Sequence, residues 1–339
     1  MKYQKYYGLL LAFALCARAA LAADMTPILS TGPTLTDRQE HVMKAVALSF
    51  DRTLFGESDP QLAADLFADP SFKNHDVEEP SGAQDYANFF LKPKEYGNPN
   101  GRPRTGTKAP TAAGITRLFT ITDGDITMMA YPSANPGDPG GTFASNMMEV
   151  KHNRVTQWWF SGPSEGGVMG GPPPAAPAPP APRPVPDYTR FYPIPGVPTA
   201  GMPVIINVGA ASAAERDANK RLVAGFFNDF YNHGDASAAT RSLSPDLKCH
   251  VTGCPQGAGF ASFASANKAK VTSADTNKVL FLLAEGNLVD IGFPIYVDGD
   301  PGGWYTQNLI RVENGKVTEW WYSSRAPGAP RRRWKMPVP

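Results

Sequence analysis

The sequence lacks the short motifs that mark the commoner chemistries: it has no glycine-rich phosphate loop, no nucleophile elbow and no zinc-ligand spacing. That narrows the chemistry to binding or to proton transfer without a cofactor. Charge of one sign is lacking too. Thirty-two basic against 31 acidic residues leave a formal net charge of +1, which argues against a nucleic-acid partner, whose binding rests on neutralising phosphates. The one basic cluster, Arg331-Arg332-Arg333 with Lys335, sits in a proline-flanked tail (326–339) and reads as a solvated terminus. No apolar run is long enough to span a bilayer.

Cysteine is scarce, with three in the chain. Cys16 falls inside an expected export signal: Lys2 and Lys5 form a basic start, Gly8 to Ala17 is apolar, and Ala20-Leu21-Ala22 offers a small-x-small cleavage site. Residues 1–22 are therefore expected to be removed, placing the mature chain in the periplasm or outside the cell. Cys249 and Cys254 remain, close together in an oxidising compartment, and are expected to form a disulfide bracketing His250. A two-Cys, one-His metal site is the alternative, but no fourth ligand lies nearby.

What the chain does have is a repeat. Gly124–Ser161 slides onto Gly286–Ser323 without a gap, and about fourteen of roughly thirty-eight positions match, including Trp158-Trp159 against Trp320-Trp321. Two copies of one domain follow, at 34–162 and 210–325. Between them, 163–203 is dense in proline, unsuited to helix or inner strand, and reads as an extended spacer.

Each copy runs helices first and strands after. Thr36-Asp37-Arg38-Gln39 and Ser212-Ala213-Ala214-Glu215 are capping boxes. An apolar stripe follows each: Val42, Val46, Phe50 and Leu54 in the first copy, Leu222, Phe226 and Phe230 with Tyr231 in the second. Residues 60–67 read as a short helix starting at proline, 72–75 as a strand, and 81–91 as a helix holding Tyr86. Strands are expected at 115–122, 126–131, 142–150 and 155–161, and again at 278–285, 288–297, 304–312 and 317–323. Asn314-Gly315 supplies a tight hairpin turn. This order predicts an α+β domain with helices on one face of a meandering antiparallel sheet.

Alternation along strands puts Thr318, Trp320 and Tyr322 on one face and Glu319 with Trp321 on the other. Asn308 and Asn146 lie on neighbouring strands, and Thr156, Trp158 and Phe160 repeat the pattern in the first copy. Polar positions kept in both copies are few: His75 with His250, and Asn146 with Asn308. An imidazole in an apolar pocket can serve as general acid or base; the plain alternative is a buried histidine bonded to backbone. The Asn pair either orients a carbonyl or stabilises the sheet. Asp138 and Asp300, within the repeated Gly-Asp-Pro-Gly-Gly, read as turn residues, and Asp76, Glu78 and Glu79 as a solvated acidic loop rather than a metal site. The tryptophans are either a stacking platform or core, and core is the reading for Trp159 and Trp321.

Phe72-Lys73-Asn74-His75 followed by Gly82, and the run Asn308 to Trp321, resemble the SnoaL-like branch of the nuclear transport factor 2-like superfamily, also described as polyketide-cyclase-like or aldol-condensation-like. The resemblance implies two cone-shaped α+β barrels, each a curved antiparallel sheet wrapped around a helix and joined by the proline-rich linker. It also implies a pocket for apolar substrates and pairing of domains sheet to sheet, within one chain or in a homodimer. The family's acid residues are replaced here: Trp158 and Phe160, and Trp320 and Tyr322, stand in the closing strand, and Asn146 and Asn308 stand for its leading Asp. The expectation is an exported tandem protein binding a small apolar or aromatic molecule without a cofactor, through Asn146, Asn308, Trp158, Trp320, Phe160, Tyr86 and Tyr231. A lyase, isomerase or cyclase using His75 or His250 as base with Tyr322 as acid is the alternative, and a structural module pairing through its sheet faces is a third.

Overall fold

The computed structural model describes residues 27–29, 31–32, 35–56, 58–75, 79–96, 103, 117–132, 143–161, 206–250, 257–259, 278–297 and 300–323, of which 132, 258, 295–297 and 300–304 are described by backbone alone. The expected signal, linker and basic tail lie outside the described residues, as do Cys254, Asp76, Glu78 and Asp138.

Helix α1 (Asp37–Asp51) starts where its sequence says it should. Thr36 accepts from the Gln39 backbone and the Gln39 side chain accepts from the Thr36 backbone at 2.9 Å, so two end donors are satisfied reciprocally. The helix passes into a π-helical turn, Arg52–Gly56, which the apolar stripe did not signal. Asp59 caps α2 (Pro60–Phe67), whose first residue is the proline that tolerates a missing donor. Then come β1 (Ala68–Asn74), α3 (Ala83–Leu91), β2 (Phe119–Asp123), β3 (Ile126–Pro132), β4 (Phe143–Lys151) and β5 (Arg154–Ser161).

The second copy repeats this plan. Helix α4 (Ala213–Phe227) has its own capping box at Ser212 and its own π turn, Asn228–Asn232. A short helix not foreseen from the sequence, α5 (Ser237–Ser242), precedes β6 (Leu243–Cys249). β7 (Phe281–Glu285), β8 (Leu288–Val297), β9 (Asp300–Glu313) and β10 (Lys316–Ser323) complete it. Asn314 and Gly315 both take positive φ, 51° and 69°, as a two-residue hairpin turn of the primed type requires.

Each half forms a five-stranded sheet, in the order β1-β5-β4-β3-β2 and β6-β10-β9-β8-β7. Four strands of each are the expected antiparallel meander, but β1 pairs parallel with β5 and β6 with β10, so the sheets are mixed rather than antiparallel. Alternation fixes the face a residue takes; it does not say which strand lies beside it.

The apolar residues fall into three clusters. One fills the cup between α1–α3 and the first sheet, another the cup of the second half. The third lies between the two sheets, with Leu118, Phe119, Ile121, Met147 and Trp159 against Leu280, Phe281, Leu283, Leu309 and Trp321. The halves thus pair sheet to sheet within one chain, by contacts that repeat under the duplication. Lys44 reaches Glu285 at 2.8 Å, and its counterpart Lys220 reaches Asp123 at 2.9 Å. Thr122 N donates to Glu285 at 2.7 Å, and Ala284 N to Asp123 at 2.9 Å. Such self-complementary exchange is the signature of a two-fold interface.

The segments ahead of each domain cross over as well. Leu29 N donates to Leu280 O at 2.8 Å in the second half, and Ile206 N to Leu118 O at 2.7 Å in the first. Each arm then rests on its own domain at a glycine. A Cβ on Gly124 would stand 1.9 Å from Thr31 O, and one on Gly286 would stand 2.0 Å from Val208 O. Only glycine permits that approach, and both have positive φ.

Candidate functional site

The first cup contains a buried polar cluster. Asp51 is the last residue of α1, delivered inward beside Phe50. Arg117 stands just ahead of β2, and its guanidinium meets the Asp51 carboxylate at 2.9 Å with both side chains 0% exposed. From β4, the Asn146 amide donates to the other carboxylate oxygen at 3.0 Å. Tyr131 of β3 is half-buried, and its hydroxyl lies close enough to Asp51 and Arg117 to feel both charges. Burial first, and then the Asp51 charge, hold the Tyr131 proton well above the ordinary phenol range, so this hydroxyl remains a donor.

Among the described residues, Asn146 Oδ1 and Trp158 Nε1 in this cup meet no hydrogen-bond partner, on residues 4% and 2% exposed. Trp158 lies among rings, 5.2 Å from Tyr86, 6.2 Å from Phe55 and 6.3 Å from Phe160. Phe55, Phe90 and Phe160 are half-buried and pack against the same cluster.

The second cup occupies the same positions with different chemistry. Helices α1 and α4 each run fifteen residues from a capping box, so Phe227 holds the place of Asp51. The backbone bonds Leu118 N to Ala130 O and Leu280 N to Gly292 O align Arg117 with Val279 and Tyr131 with Phe293. Phe227 and Phe293 pack ring on ring with centroids 5.0 Å apart. Asn308, with no carboxylate to serve, accepts instead from Trp320 Nε1 at 3.0 Å. Phe226, Phe230, Tyr231 and Trp320 close the interior, all buried. One duplication has produced one polar cup and one apolar one.

The sequence-selected residues divide accordingly. Asn146, Trp158, Phe160 and Tyr86 come together in the first cup. Asn308, Trp320 and Tyr231 come together in the second, with Tyr322 packed against them. Both histidines lie across the sheet from these groups. His75 stacks on Trp159 at 4.4 Å and 7°, and its Nε2 meets Gln157 Oε1 at 2.9 Å. His250 stacks on Trp321 at 4.6 Å and 2°, with Nε2 3.9 Å from Glu319. The imidazoles therefore face the side of the sheet that pairs with the other half. The grouping of His250, Asn308 and Tyr322 about one substrate is not assembled, because alternation sends Trp321 and Tyr322 to opposite faces. Trp159 and Trp321 are core of the interdomain layer, as expected.

Asp51, Arg117 and Tyr131 were not among the sequence candidates. Their signal was present at positions where one copy is polar and its twin apolar, Asp51 against Phe227 and Tyr131 against Phe293. Among the described residues no group of three acidic, His or Cys side chains could hold a metal, and no helix is long and apolar enough to cross a membrane.

The described residues thus form two α+β units, each a five-stranded sheet cupping helices, paired through their sheets, one cup holding a buried polar cluster and the other apolar. Among solved structures the chain is similar to a de novo designed NTF2 fold protein, NT-9, at 17% identity over 35% of this chain and 90% of that one, with a TM-score of 0.26. It is also similar to a protein from Bacillus cereus described as a polyketide cyclase, at 22% identity over 33% of this chain and 77% of that one, TM-score 0.26. A third is a Mycobacterium tuberculosis LEH-like epoxide hydrolase, at 16% identity over 33% of this chain and 85% of that one, TM-score 0.23. No family model matches the chain, and no curated protein does.

Proposed function

We propose that the first domain binds a small, mainly apolar molecule in its cup, and that the second serves as its fixed structural partner. One observation carries this reading. The same fold holds itself together in the second cup with Phe227, Val279 and Phe293 where the first has Asp51, Arg117 and Tyr131. A buried ion pair is no more stabilising than well-packed apolar residues of similar volume, so the polar set is not needed for the fold. A ligand explains its retention. The test is thermal stabilisation of the full chain by a panel of aromatic and terpenoid compounds. Binding should be lost when Asp51, Arg117 and Tyr131 are replaced by their counterparts, and uniform failure of the panel to stabilise the wild type would reject the reading.

A cofactor-independent lyase, isomerase or cyclase is the second reading, and Asp51 favours it. A carboxylate held by Arg117 and Asn146 beside a proton-bearing Tyr131 supplies a base and a donor in one water-poor site. On this reading Asp51→Asn abolishes turnover of a carbonyl substrate, while His75→Ala and His250→Ala leave it intact. We further propose that the chain is exported after loss of residues 1–22 and that Cys249 pairs with Cys254. Intact mass of the secreted protein tests both, by its N-terminus and by the two hydrogens lost on oxidation.

A further inference from the structure

We propose that the first cup is built to take a neutral hydroxyl group, an alcohol or phenol, on a ring-sized apolar molecule. This rests on the binding reading above and names the chemistry of its ligand. These two buried atoms, without a partner among the described residues, are of opposite kind: Asn146 Oδ1 accepts and Trp158 Nε1 donates. In the second cup the equivalent atoms satisfy one another directly, Trp320 Nε1 donating to Asn308 Oδ1 at 3.0 Å. In the first, Asp51 takes the Asn146 amide at 3.0 Å, and the Asn–Trp bond is not made. The acidic residue has opened a pair that its apolar twin leaves shut.

A hydroxyl is the smallest neutral group that satisfies both atoms, giving its proton to Asn146 Oδ1 and accepting from Trp158 Nε1. A ketone or an ether answers the indole only. A carboxylate leaves the Asn146 oxygen unpaired and sets a second negative charge near Asp51. The body of the ligand is specified by what surrounds the indole: Phe55 at 6.2 Å and Phe160 at 6.3 Å, both half-buried, favour an aromatic or alicyclic ring.

The test is calorimetric titration of the full chain with 1-naphthol, 1-methoxynaphthalene and 1-methylnaphthalene, which share a body and differ in the polar group. Naphthol should bind about tenfold or more tightly than either analogue, the factor that a forfeited buried hydrogen bond commonly costs. In Trp158→Phe, which keeps a ring and removes the donor, that preference should shrink. Equal affinities for all three would overturn the hydroxyl assignment and leave the cup as a binding site. Binding of none of them would overturn the binding reading and this inference together. The wild-type series decides the matter even if the variant does not fold.

Discussion

Replacing Asp51 by alanine should be far more damaging than replacing the whole polar set by its apolar twin. Asp51→Ala leaves the Arg117 guanidinium buried at 0% exposure without its carboxylate, and strands the Asn146 amide as well. Breaking a buried pair on one side costs about 3–5 kcal/mol. At about 2–4 °C per kcal/mol for a chain of this size, the thermal midpoint should fall by about 6–20 °C. The triple replacement Asp51→Phe, Arg117→Val and Tyr131→Phe removes every charge at once and installs the set already packed around Phe227 and Phe293. Its cost should lie near zero, with stabilisation of about 1–4 kcal/mol possible on the precedent of buried pairs replaced by apolar residues. Thermal unfolding followed by near-ultraviolet circular dichroism measures both variants. If the triple variant falls as far as Asp51→Ala, the polar cluster is structural and the reasoning from the twin cup fails.

Three further outcomes follow from the interface. Glu285→Ala should cost more than Lys44→Ala, because Glu285 also accepts the Thr122 N–H at 2.7 Å; a buried donor left unpaired costs about 1–3 kcal/mol, and a partly exposed ion pair at most about 1 kcal/mol. Thermal midpoints of the two variants should differ in that order. Gly124→Ala must push Thr31 away, since the new Cβ would sit 1.9 Å from its carbonyl. Limited proteolysis should then cut within residues 27–32 faster than in the wild type. Asp290 is held well above the ordinary carboxylate range by burial, which outweighs the bond from Gln307, made at 2.5 Å. Its folded state binds a proton that the unfolded state has released, so above about pH 4 its contribution to stability declines as pH rises. Asp290→Asn should flatten that decline in denaturant titrations across pH, and an unchanged slope would refute the assignment.

The repeat, the capping boxes and the split of Trp158 from Trp159 between faces were legible because each depends on neighbours in sequence. The parallel pairing of β1 with β5 was not, since it is set by how the helices return the chain. The site was missed for a more specific reason. Polar residues kept in both copies, His75 with His250 and Asn146 with Asn308, drew attention, yet both histidines belong to the sheet-pairing side. The groups that define the first cup are the ones its twin has lost. Arg117 and Asp51 both lay outside the aligned stretch altogether, and Asp51 is not part of the Val42, Val46, Phe50 and Leu54 stripe.

The central claim, that one cup of two is a ligand site, is tested most directly by the stoichiometry of 1-naphthol on the full chain, measured by calorimetry. The account predicts about one molecule per chain, and none on the triple variant carrying phenylalanine, valine and phenylalanine at positions 51, 117 and 131. Two molecules per chain, or one that survives the triple replacement, would contradict it.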